Sequence, residues 1–137
     1  MTSQAQILDG NYNPIASPLP VSAVAVTGDS GNVANATATA TLAAAAGVTT
    51  WLTGFVITAT GATAASVVTG TITGLKGGTL HFTFAAPAGV SAAATPLVID
   101  FAYPMPASAK NQAIAVVLPA LGSGNTNATV FAKGFQL

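Results

Sequence analysis

His81 and Asp100 are the one pair of side chains in this 137-residue chain whose types suggest acid–base chemistry. His81 alternates with Leu80 and Phe82, and Asp100 with Ile99 and Phe101, so each polar group is expected opposite its apolar neighbours. If the two strands pair antiparallel with Phe82 opposite Ile99, His81 falls opposite Asp100 as a cross-strand neighbour. Nucleophilic catalysis would need a third group, a hydroxyl or thiol positioned against the imidazole. The chain has no cysteine and no Gly-x-Ser-x-Gly elbow. The pair therefore reads as a polar contact on an outer sheet face.

Other chemistry is scarcer still. One histidine and three scattered aspartates give no metal-ligand spacing. Gly74-Leu75-Lys76-Gly77-Gly78 carries a lysine but not the phosphate-loop pattern, and it reads as a hairpin turn. Asn35-Ala36-Thr37 and Asn127-Ala128-Thr129 match the glycosylation sequon. With no basic n-region or apolar h-region after Met1, no secretory signal is expected, and the sequons are expected to stay unmodified. Trp51, Phe55, Phe82, Phe84 and Phe101 could stack on sugar rings, but they fall on alternating apolar faces, which points to core packing. The expectation is a chain with no catalytic residue, no cofactor and no metal.

Charge supports that reading. Charged residues make up 4% of the chain, against about a quarter in an ordinary soluble domain. Three lysines cannot form the multi-contact basic surface that a nucleic-acid backbone requires. No apolar run approaches the roughly 20 residues of a membrane-spanning helix, so no membrane partner is expected. A surface with so little charge has little to repel its neighbours. The chain reads as a part that binds other copies or other proteins, made in the cytoplasm without cysteine chemistry.

The elements that would carry such contacts are strands. Residues 1–20 stand apart, with Pro14, Pro18 and Pro20 disfavouring helix. They read as an extended arm whose apolar pegs, Ile7, Leu8, Tyr12, Ile15 and Leu19, dock on an adjacent surface. From Val21 to Leu137 threonine and valine are frequent, and Gly, Pro and Asn punctuate the chain at short intervals. Expected strands cover Val24 and Val26, residues 33–42, 50–60, 65–75, 79–86, 97–103, 113–118 and 127–135. Residues 43–46 suit at most one helical turn. Trp51, Phe55 and Ile57 are expected on one face, as are Leu97, Ile99, Phe101 and Tyr103. About eight short strands with no long helix predict an all-β fold, an antiparallel β-sandwich of jelly-roll type.

One series of motifs goes further. It begins Thr49-Thr50-Trp51-Leu52-Thr53-Gly54-Phe55, Gly61-Ala62-Thr63-Ala64-Ala65 and Thr71-Ile72-Thr73-Gly74-Leu75, followed by Gly78-Thr79-Leu80. It continues through residues 101–108 (Phe-Ala-Tyr-Pro-Met-Pro-Ala-Ser), residues 119–130 and Gly134-Phe135. Residues 47–137 thus resemble small virion structural proteins of tailed bacteriophages, of the head cement or decoration type. The resemblance implies a non-enzymatic virion component and brings no catalytic residues with it. Its implied partners are the major capsid protein and copies of itself, in a symmetric homo-oligomer such as a trimer, with no small-molecule substrate. A tail or fibre-base location and a carbohydrate-binding module are the competing expectations.

Overall fold

The computed structural model describes residues 19–20, 22–89, 96–122 and 127–137. Nine strands follow one another: β1 (Val24–Asp29), β2 (Val33–Ala34), β3 (Ala38–Leu42), β4 (Thr50–Thr60), β5 (Ser66–Thr73), β6 (Leu80–Ala86), β7 (Leu97–Pro106), β8 (Ile114–Leu118) and β9 (Asn127–Gln136). No described residue is helical, so residues 43–46 do not form the expected helical turn. The expected strand over residues 33–42 is broken in two at Asn35, whose backbone takes a φ of 54°. Asparagine enters that left-handed region more readily than most side chains.

Two antiparallel sheets result. The first has the order β1-β9-β4-β7, with β2 also paired to β9, and the second has the order β3-β8-β5-β6. Four of the pairings are nested in sequence: β5 with β6, β4 with β7, β3 with β8, and β1 with β9. Successive nested pairs alternate between sheets, as when a long two-stranded ribbon is rolled up. This is the jelly-roll connectivity.

Inward positions follow the two-residue period. Ala38, Ala40 and Leu42 of β3 and Ile114, Val116 and Leu118 of β8 are fully buried, while Thr39 and Thr41 face out. Leu52, Phe55, Ile57, Val130 and Ala132 supply the facing layer. Gly70 of β5 leaves room for its cross-strand partner Phe82, whose ring occupies the space a Cβ there would need. Phe82 meets Phe55 of the opposite sheet at 5.2 Å between ring centres, and Phe55 meets Phe101 at 6.2 Å. Both are the favoured tilted geometry; the first joins the two sheets across the core and the second links neighbouring strands of the first sheet.

Candidate interaction surface

The expected His81–Asp100 contact does not form. β6 and β7 belong to different sheets, because the chain crosses the sandwich between them instead of closing a hairpin. His81 lies exposed opposite Thr71 on the outer face of the second sheet. Asp100 lies opposite Gly54 in the first sheet and pairs with Lys133, whose Nζ is 2.7 Å from its Oδ1. Among the described residues no three His, Cys, Asp or Glu side chains converge on a common point. Residues 74–78 do form the hairpin turn between β5 and β6, with the Gly78 N–H donating to the Leu75 carbonyl.

The Asp100–Lys133 pair reaches from β7 to β9 across the intervening strand β4. Gly54 makes the crossing possible, since a Cβ there would meet the Ile99 carbonyl oxygen at 2.5 Å and Asp100 Oδ1 at 2.6 Å. Both partners are substantially exposed, so the pair is worth about 0.2–1 kcal/mol at most. Its larger effect is on the face: two opposite charges neutralise each other in the middle of the first sheet's outer surface. Beside it runs an apolar row, Val98–Val56–Phe131, in register on β7, β4 and β9. Val98 and Phe131 are both exposed.

On the other side of the ion pair, Trp51 stacks on Phe135 with ring centres 5.9 Å apart. Trp51 was expected on the face of Phe55 and Ile57, but it points outward. The register of β4 shifts between Leu52 and Gly54 against both neighbours, leaving Thr53 as an extra residue. A bulge of this kind reverses the inward parity along a strand. Thr50 and Leu52 are therefore buried before it, and Phe55, Ile57 and Ala59 after it. Thr53 anchors the bulge by donating its hydroxyl to the Lys133 carbonyl at 3.0 Å. The Trp51 indole N–H is shielded from solvent and meets no acceptor among the described residues.

The same shift distorts β7 far more. Asp100 pairs with Gly54 and Met105 with Leu52, so residues 101–104 have no register partner on β4 and arch away from it. Phe101 keeps its contact with Phe55, but Tyr103, expected on the same inner face, is 85% exposed. Residues 101–106 line a shallow, open and nearly wholly apolar groove at this edge of the sheet.

Two signals for this surface were present in the sequence: Thr53-Gly54 inside a strand pattern, which marks a bulge, and Pro104, which marks an edge strand. Of the proposed arm residues, Ile7, Leu8, Tyr12 and Ile15 lie outside the described residues. Leu19 is half-buried, just ahead of a turn in which the Ala23 N–H donates to the Pro20 carbonyl at 3.0 Å. Comparison with protein-family models, with curated proteins and with solved structures gives no match.

Proposed function

We propose that this protein is a non-enzymatic structural component of a tailed-bacteriophage virion, a cement or decoration protein that binds copies of itself and the major capsid protein on the head. The observation that carries the reading is the outer face of the first sheet. It carries an apolar row in which Val98 and Phe131 are exposed, a half-exposed Trp51 ring stacked on the buried Phe135, and one internally neutralised ion pair. Such a face loses little on desolvation and gains by burial. Jelly rolls recur in capsid proteins and lectins, which supports the reading by fold analogy only. The motif resemblance over residues 47–137 supplies the virion assignment. Weak contacts of this kind become strong when repeated around a shell.

Purified protein mixed with phage heads that lack it should co-sediment with them, and light scattering on the protein alone should show an oligomer. A monomer that also fails to bind heads rejects the proposal. The exposed Tyr103 ring favours one second reading, a carbohydrate-binding module, because a solvent-facing aromatic can stack on a sugar. Glycan binding abolished by Tyr103→Ala would select it.

A further inference from the structure

We propose that the groove under the β7 arch is the receptor for residues 1–18 of a neighbouring copy. This rests on the homo-oligomeric reading above and names the contact that would build the oligomer. β7 ends the first sheet, no described strand pairs with its outer edge, and residues 101–104 have no register partner on β4. Pro104 and Pro106 remove two donors from this edge and the Pro106 carbonyl already accepts from the Lys76 N–H, so a peptide docking here is held chiefly by apolar contact. The groove is nearly wholly apolar. Residues 1–18 fit that chemistry. They carry Ile7, Leu8, Tyr12 and Ile15 as apolar pegs, Pro14 and Pro18 to hold an extended path, and Asp9 as their only charge.

The placement of the two edges suits a second copy as the source. The arm leaves the fold ahead of β1, and β1 and β7 are the opposite edges of the first sheet. Copies set side by side bring the donor edge of one against the receptor edge of the next. That is a heterologous contact, which closes into a ring when the rotation permits. Within one molecule, β1 and β7 are three strand spacings apart, about 14 Å. Extended, the pegs from Ile7 to Leu19 spread over about 40 Å. That reach is enough for the arm to leave its own molecule and lie along β7 of the next.

The chain has no native cysteine, so crosslinking tests this with a clean background. Full-length Ile15→Cys protein is mixed with full-length Tyr103→Cys protein under mild oxidation, and separately with Thr83→Cys, on the exposed outer face of the second sheet. The heterodisulfide with Tyr103→Cys should exceed that with Thr83→Cys by at least about tenfold, as the raised effective concentration of a docked arm requires. Equal yields, or none, overturn the inference. So does a chain carrying both Ile15→Cys and Tyr103→Cys that closes only on itself. Light scattering on the same samples separates the two ideas. An oligomer without the selective crosslink removes the arm contact and leaves assembly standing, whereas a monomer removes both.

Discussion

Phe55 is the residue on which the two sheets meet. It is nearly fully buried and touches Phe82 on one side and Phe101 on the other. Phe55→Ala should therefore cost about 3–5 kcal/mol, read as a fall in the urea midpoint. His81→Ala, at an exposed outer position opposite Thr71, should stay within about 0.5 kcal/mol of the parent. Similar losses for both would contradict the face assignment. Gly54 gives a sharper contrast. Gly54→Ala drives a methyl into the Ile99 carbonyl, a backbone atom that cannot swing away, and should cost about 1–3 kcal/mol. Lys133→Ala removes only an exposed ion pair and should cost under about 1 kcal/mol. If thermal melts rank these two the other way, the ion pair and not the space above Gly54 organises this part of the face. The facing of Phe82 and His81 was legible because both sit in an uninterrupted two-residue alternation, and that of Phe55 because Ile57 and Ala59 continue its face after the bulge. The partner of Asp100 was not legible, because Lys133 is reached only through the pairing of β9 with β4, far away in sequence.

At the scale of elements, strand positions were legible nearly throughout, since threonine and valine runs end at Gly, Pro or Asn. What alternation could not supply was the change of parity inside β4. Thr53 is one residue, yet it decides that Trp51 stacks outside with Phe135 while Phe55 and Ile57 fill the core. Removing it makes the consequence testable. Deletion of Thr53 restores continuous alternation and forces either Leu52 out of the core or Phe55, Ile57 and Ala59 out of it. The deleted protein should lose its near-UV circular dichroism and turn up in the insoluble fraction. A soluble variant with the parent spectrum would show that the bulge is dispensable. The β7 arch is the opposite kind of feature, with its residues turned away from β4. Tyr103→Ser should change the unfolding free energy from urea melts by less than about 0.5 kcal/mol, while weakening self-association if the groove receives the arm.

At the scale of the whole molecule, the rolled ribbon makes nearly every pairing distant in sequence. The Val130 N–H, for instance, is bonded to the Ser30 hydroxyl one hundred residues away. A period-two pattern says that strands exist but not which of them meet, so the β6–β7 crossover, and with it the fate of His81 and Asp100, followed only from the roll. The same scale governs how copies should associate. The described charges are Asp29, Lys76, Asp100, Lys110 and Lys133, and two of these neutralise each other on the first sheet. A surface this sparsely charged has little field to screen, so association driven by it must come from apolar burial and backbone hydrogen bonds. Raising NaCl from about 0.1 M to about 1 M shortens the Debye length from about 10 Å to about 3 Å, enough to abolish long-range steering. The oligomer and its binding to heads should change by less than about twofold over that range, since no large charge attraction is being removed. Ammonium sulfate should strengthen both, because sulfate favours apolar burial. Sedimentation velocity across the two salt series gives the answer. Steep dissociation with NaCl would mean that charges supplied by the partner, not the apolar face, hold the assembly together.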